Sequence, residues 1–340
     1  MQIRTVEELE TALATPSERL VRDARDIEGD VLLLGAGGKM GPSLAMLAKN
    51  ALQAAGNDAK VIAVSRFSDE AAERRLQQAG VETVRADLLN DRELDAVPDA
   101  PNVVHMVAMK FGTHGQEHLT WAMNTYLPGR VGERFRDARI VAFSTGNVYP
   151  LSPLTSGGPT EDDPVAPLGE YAQSALGRER MFAYASHAHG TKVALLRLNY
   201  AIDLRYGVLV DLALNVRDGR PIDVSMGQVN VVWQGYANEV ALRAFALCSS
   251  PPTVLNLTGP ESVSVRRLAQ RLGERLGKEP VFEGTEADTA LLNDASRCHA
   301  RFGYPEVTLD RMIDLVAEWV GAGGEVHGKP TKFQVRSGRF

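Results

Sequence analysis

Residues Val31-Leu-Leu-Leu-Gly-Ala-Gly-Gly-Lys-Met-Gly41 constrain this chain more than any other stretch. A run of four apolar residues ends in glycines, and Pro42-Ser-Leu-Ala-Met-Leu-Ala continues as a helix. Strand, glycine turn and helix in that order form the setting of a dinucleotide phosphate loop. Gly35, Gly38 and Gly41 follow G-x-x-G-x-x-G, with Lys39 and Met40 inside the turn, and Gly35-Ala-Gly37 begins a G-x-G. Glycine suits such a turn because it adopts unusual φ and because a Cβ would strike the pyrophosphate. The N–H groups at the helix start then face the anion, reinforced by the helix dipole. The bland alternative is a glycine-rich turn that binds nothing.

Length and composition narrow the class further. A chain of 340 residues buries a large core and accommodates a main domain with a smaller lobe. The net charge of −6 argues against a general nucleic-acid or anionic-membrane surface. No apolar run approaches the roughly 20 residues that span a bilayer, and Met1-Gln-Ile-Arg-Thr-Val-Glu-Glu-Leu lacks the apolar core of a secretion signal. The two cysteines, Cys248 and Cys298, have neither disulfide-framework nor metal spacing, which predicts a reducing, cytoplasmic setting and no metal. Glu283, Glu286 and Asp288 read as a solvated acidic loop.

Short β-like runs at 30–34, 60–65, 82–85, 102–107 and 139–144 alternate with helical stretches, and 191–199 reads as a further strand. The alternation predicts an α/β fold: a Rossmann-type, doubly wound parallel sheet. The expected organisation is a helical N-terminal extension (1–29) and a dinucleotide-binding domain (30–200). A smaller C-terminal substrate lobe interleaved with the main fold (201–322) and a glycine-rich basic tail (323–340) follow. Within the lobe, 229–233 and 253–258 read as short strands, and 264–276 and 309–320 as helices.

Two further places bear on the cofactor. NAD-preferring folds carry a carboxylate at the tip of the second strand to hold the ribose 2′-hydroxyl. This chain has Ser65 and Arg66 there. Arginine pairs with a 2′-phosphate, so the pair points to NADP over NAD, unless Arg66 is a solvated surface charge. Asp87-Leu88 ends the third strand; the carboxylate suits an adenine amino group and the leucine its ring, although a turn aspartate is equally compatible.

With these landmarks the chain resembles the extended short-chain dehydrogenase/reductases, specifically their NAD-dependent epimerase/dehydratase branch. The resemblance spans about 30–320. It rests on the glycine loop, Asp87-Leu88, Val104-His105-Met-Val107-Ala108, Asn124, Phe143-Ser-Thr145-Gly-Asn-Val-Tyr149 and Tyr171-Ala-Gln-Ser-Ala175 before Glu179, in the family's order and spacing. It implies that Val107 and Ala108 pass beside the cofactor, that Lys110 lies near its phosphates and that Asn124 braces the centre. It further implies that Thr145 orients the reacting oxygen and that Tyr171 is the general acid/base. Substrate contacts are expected from Asn199, Arg205, Tyr206 and Trp233, residues suited to a carbohydrate-like or acidic small molecule. Asn238, where the family often has an aspartate, reads as a helix cap. Helices around 116–136 and 170–188 correspond to those through which family members dimerise, so a homodimer is expected.

The chain departs from the family at Ala175, where Tyr-x-x-x-Lys requires lysine. Four residues is about one helical turn, so the lysine would lie beside the tyrosine. A free tyrosine has a pKa near 10, and a close cation lowers it by roughly 1–3 units. Arg178, one turn further on, is the first candidate to supply the charge, since helical side chains lean toward the N-terminus. Lys110 from the loop is another, and His105 or His114 as base are others. The expected activity is an NAD(P)-dependent oxidoreductase or epimerase acting on a sugar, sugar nucleotide or related hydroxy/keto acid. The alternatives are a nucleotide-binding sensor without redox turnover and a lyase or isomerase that retains its cofactor.

Overall fold

The computed structural model describes residues 2–111 and 115–339. Among them, seven strands form one all-parallel sheet: β1 (Val31–Leu34), β2 (Val61–Ser65), β3 (Glu82–Arg85), β4 (Asn102–His105), β5 (Arg139–Thr145), β6 (Lys192–Leu198) and β7 (Thr253–Leu257). They lie in the order β3-β2-β1-β4-β5-β6-β7. Successive strands are added to one side of β1 up to β3 and to its other side from β4 onward, and this switch between β1 and β4 opens a crevice at their carboxyl ends. Central strands of such a sheet are covered on both faces and are apolar throughout. Val31, Leu32, Leu33 and Leu34 accordingly have no exposed surface, whereas the edge strand β3 is the polar Glu-Thr-Val-Arg.

The helices are α1 (Val6–Ala14), α2 (Glu18–Ala24), α3 (Gly41–Ala55), α4 (Glu70–Gln78), α5 (Asp91–Asp95), α6 (Glu117–Trp121), α7 (Leu127–Arg134), α8 (Gly169–His189), α9 (Val208–Asp218), α10 (Gln234–Arg243), α11 (Val265–Leu276), α12 (Ser296–Phe302) and α13 (Leu309–Gly321). One sheet face is covered by α2, α3 and α10, and the other by α7 and α8. A second core, built from α1, α9, α11 and α13, forms the smaller lobe beyond the carboxyl edge.

The chain threads between these bodies more than a linear division of the sequence suggests. Residues 253–258, read as part of the small lobe, form β7 and pair with β6 in the main sheet. The N-terminal helices are built in: Leu9 and Leu13 join the small-lobe core, while Leu20 and Ala24 join the main one. Thr5 caps α1 in a reciprocal box with Glu8. Asn238 is no cap. It lies inside α10 and, together with Gln234, donates to the Ser43 hydroxyl on α3, tying the two helices. The C-terminal stretch read as a tail runs back over the molecule, with Thr331 and Phe333 buried.

Candidate active site

The glycine turn after β1 is shaped by close approach. Gly35 has φ +92°, and a Cβ there would come within 2.9 Å of the Val107 side chain and 3.0 Å of its backbone nitrogen. At Gly41 a Cβ would run into the Ala36 carbonyl. α3 then starts from Met40 with no side-chain cap among the described residues. The Gly38 and Gly41 amides are used within the turn, donating to the Gly35 and Gly38 carbonyls, and the absence of a side-chain cap leaves the other amides of the helix start to an anion. The tight glycine turn and the uncapped helix fit a dinucleotide's diphosphate.

A cavity of about 370 Å³ opens beside this turn, between the sheet's carboxyl edge and the small lobe. Gly35, Gly38, Lys39, Met40 and Gly41 of the turn line it, together with Thr145, Tyr171 and Arg178, the loop residues Ala108 and Lys110, and Asn199 and Tyr206. The Lys39 ammonium lies 3.0 Å from the centre of the Tyr206 ring. Burial and Lys329 lower the Lys39 pKa to about 8, against the pull of Asp211 and Asp203.

Tyr171 sits in the first turn of α8 and is hydrogen-bonded to the Thr145 side chain at the end of β5. Burial raises its pKa; the nearby Arg178 guanidinium and the Thr145 bond oppose the rise without cancelling it. The Thr145 hydroxyl is itself positioned, donating to Asn147 Oδ1 at 3.0 Å and accepting from the Asn147 amide at 3.2 Å.

Arg178 is buried and its charge is directed at this corner. It donates to the Phe143 carbonyl at 2.6 Å and to Asn124 Oδ1 at 3.1 Å. Asn124 stands on a π turn (Ala122–Tyr126) between α6 and α7, where the widened helix offers its amide to the loop after β4. It accepts from the Met109 amide at 2.8 Å and donates to the Met109 carbonyl at 2.9 Å and to Ser174 at 3.0 Å. Behind the wall, Glu179 accepts from Ser144 at 2.5 Å and from Arg197 at 2.8 and 3.0 Å, and Arg197 donates to Tyr149 at 2.6 Å. These bonds satisfy a buried ion pair and stiffen the junction of β5, β6 and α8.

The remaining expected residues fall outside the cavity. Val107 packs under Gly35, and Asn124 is one layer back. Ser65 lies against Gly37, while Arg66 is exposed at the strand tip. Asp87 makes a turn, accepting from the Leu89 amide, and Leu88 packs in the core of that face. Arg205 is engaged by Asp203 and Glu10 and borders a neighbouring cavity. Trp233, expected at the substrate, does not line the cavity: its indole is buried in the small-lobe core. His105 is likewise no base. It is fully buried and edge-on to Phe182, its ring nitrogens have no partner among the described residues, and burial with Arg178 keeps it neutral. His114 lies outside the described residues.

Phe111, Asn147, Tyr200, Gln234 and Thr331 also line the cavity. Tyr200 and Gln234 have the polar, lobe-side character of the residues expected there. Thr331 carries no local signal; it arrives from a stretch whose glycines and charges read as a tail.

Among the described residues there is no cluster of three or more potential metal ligands, and no helix is long and apolar enough to cross a membrane. No curated protein matches the sequence. The fold is similar to that of the UDP-glucose 4-epimerase of Thermus thermophilus, solved with NAD (19% identity, 87% of this chain and 100% of that one, TM-score 0.71). It is also similar to the UDP-glucuronic acid 4-epimerase of Bacillus cereus (17%, 86% and 98%, TM-score 0.71) and to the UDP-Glc/GlcNAc 4-epimerase of Campylobacter jejuni (18%, 87% and 99%, TM-score 0.70). Residues 31–202, just over half of the chain, match the model of one enzyme family. A parallel sheet with its crevice between β1 and β4, a glycine turn at that crevice and a tyrosine–threonine pair facing it agree with that match: the chain belongs to the NAD dependent epimerase/dehydratase family.

Proposed function

We propose that the protein is an NAD(P)-dependent oxidoreductase or epimerase acting on a sugar, sugar nucleotide or related hydroxy/keto acid. The observation that carries this reading is the placement of hydrogen-bonded Tyr171 and Thr145 in the wall of the same cavity that the uncapped glycine turn lines. The nicotinamide supplies hydride exchange when bound. The chain's own residues do the rest. Thr145, held by Asn147, orients the substrate oxygen, and Tyr171 gives or takes its proton. Arg178 provides the positive charge that the missing lysine would have supplied, arriving one turn later along α8 and anchored by Asn124 and Phe143. Because arginine does not release its proton, it acts on Tyr171 through charge alone. Asn199, buried at the cavity wall with its Nδ2 lacking a partner among the described residues, is suited to donate to a substrate oxygen.

Ser65 and the exposed Arg66 favour a 2′-phosphate, and thus NADP, although two of the solved structures named above are complexes with NAD. Two free thiols support a reducing, cytoplasmic setting. Tyr126 and Tyr184, 54% and 62% exposed on the π turn and α8, suit a homodimer formed through these helices.

The test is turnover on a panel of keto sugars, sugar nucleotides and hydroxy acids with either coenzyme. Tyr171→Phe is expected to cut kcat by about 10²–10⁴-fold while leaving the coenzyme dissociation constant unchanged. Coenzyme binding with no turnover of any panel member counts for the sensor instead. Product formed without net change in coenzyme assigns the epimerase or lyase type.

A further inference from the structure

A separate cavity of about 280 Å³ also borders the glycine turn. Its lining joins Gly37, Gly38 and Lys39 of the turn to Ser68 and Asp69, which follow β2, and to Arg205 and Lys329. β2 ends close against the turn: a Cβ on Gly37 would come within 2.5 Å of the Ser65 hydroxyl. The charge of this cavity is positive. Its carboxylates among the described residues are Glu10 and Asp69, and both are engaged. Glu10 pairs with Arg75 at 3.6 Å and with Arg205 at 3.3 Å. Asp69 caps α4, its Oδ1 accepting from the Ala71 and Ala72 amides at 2.9 and 3.1 Å. Lys39 and Lys329 bring further positive charge to the lining. Arg66, exposed at the strand tip, is not part of it.

Lys329 arrives from the far end of the sequence, on a segment anchored to either side of it. Two residues before it, the His327 amide donates to the Arg205 carbonyl at 3.0 Å. Two residues after it, the Thr331 amide and hydroxyl donate to Asp211 on α9 at 2.7 and 2.6 Å. Phe333 then enters the small-lobe core. The segment therefore lines two cavities that the glycine turn also lines, through Lys329 in this one and through Thr331 in the larger one.

We propose that this cavity takes the 2′-phosphate of NADP, that Lys329 is a specificity-determining residue for it, and that the C-terminal segment thereby completes the coenzyme site. The inference deepens the nicotinamide reading above and rests on it. In a dinucleotide fold the ribose 2′ position belongs at the tip of the second strand, beside the glycine turn. The cavity borders that turn and the chain just beyond that tip. A phosphate there accepts charge-assisted bonds from ammonium groups. A 2′-hydroxyl offers them no charge to neutralise, and the acid that follows the strand, Asp69, serves α4 as its cap.

Calorimetric titration of the full-length protein with NAD and with NADP tests it. NADP should bind about tenfold tighter or better. Adenosine 2′,5′-bisphosphate should exceed 5′-AMP by a similar factor, which confines the difference to the 2′ position. Lys329→Met should weaken NADP about tenfold while leaving NAD unchanged, and Lys329→Arg should keep most of the preference. Added salt should narrow the preference of the unaltered protein and have far less effect on Lys329→Met. NAD bound as tightly as NADP, or a preference that Lys329→Met leaves intact, would overturn the inference and leave the nicotinamide reading standing. An equal loss of both coenzymes in Lys329→Met would do the same, since it marks a packing role for the segment. Binding of neither coenzyme to the unaltered protein would overturn both.

Discussion

Ala175 is fully buried in a small cluster with Val148 and Tyr149, so the side of α8 that would hold the family's lysine is filled by apolar packing. The guanidinium of Arg178, proposed above as the substitute charge, lies near Tyr171 and is held by the Asn124 amide and the Phe143 carbonyl. The exchange has a consequence for acid–base chemistry. Guanidinium charge reaches Tyr171 but does not overcome its burial, so the phenol stays above its usual pKa of about 10. Proton donation needs the phenol and proton abstraction needs the phenolate. Between about pH 6 and 9 the phenol fraction hardly changes, so carbonyl reduction should be flat with pH. Alcohol oxidation should rise about tenfold per pH unit over the same interval. Initial rates in both directions check this, and an oxidation rate that levels off near neutrality would show a tyrosine with a lowered pKa. Arg178 is within reach of sequence reasoning because the i+3 spacing and the N-terminal lean of helical side chains are local rules. Its anchor on Asn124 is not, because that contact joins residues 54 positions apart across a π turn.

The glycine turn and the strands around it are legible because each rests on a pattern confined to a few neighbouring residues. Four buried aliphatics followed by glycines can serve little else than a central parallel strand with a tight exit. Sequence reasoning expects an interleaved lobe but does not say that β7 is the strand that crosses into the main sheet, for the opposite reason. Thr253–Leu257 has the composition of any short strand, and its place beside β6 is decided by pairing across more than fifty residues. Asn238 has the residue type of a cap, yet its partner is Ser43 on a distant helix. The element most exposed to a single change is the turn itself. Gly35→Ala must place a Cβ against the Val107 backbone at a φ that alanine rarely adopts. Coenzyme affinity is expected to fall by about tenfold or more, with loss of thermal stability on the order of 1–3 kcal/mol. Unchanged affinity in a folded Gly35→Ala protein would mean that the turn does not hold the coenzyme.

At the scale of the whole molecule, both terminal stretches are built into the packing, and the C-terminal one reaches the cavity wall through Thr331. The N-terminal helices join both cores, and the C-terminal segment connects the small lobe to α8. Neither role is visible in the sequence, since docking of a polar, glycine-rich stretch depends on the surface it meets and not on its own periodicity. The face left open carries Tyr126 and Tyr184. If two copies pair there, Tyr184→Glu should shift sedimentation from dimer to monomer without altering the circular dichroism spectrum, whereas a monomeric wild-type protein would contradict that pairing. All of the proposed chemistry depends on a nicotinamide dinucleotide bound at the carboxyl end of β1. Its most direct test is calorimetric titration of the intact chain with NAD and with NADP. Saturable binding of one coenzyme per chain is expected, tighter for NADP, and heat from neither would contradict a dinucleotide site at that turn.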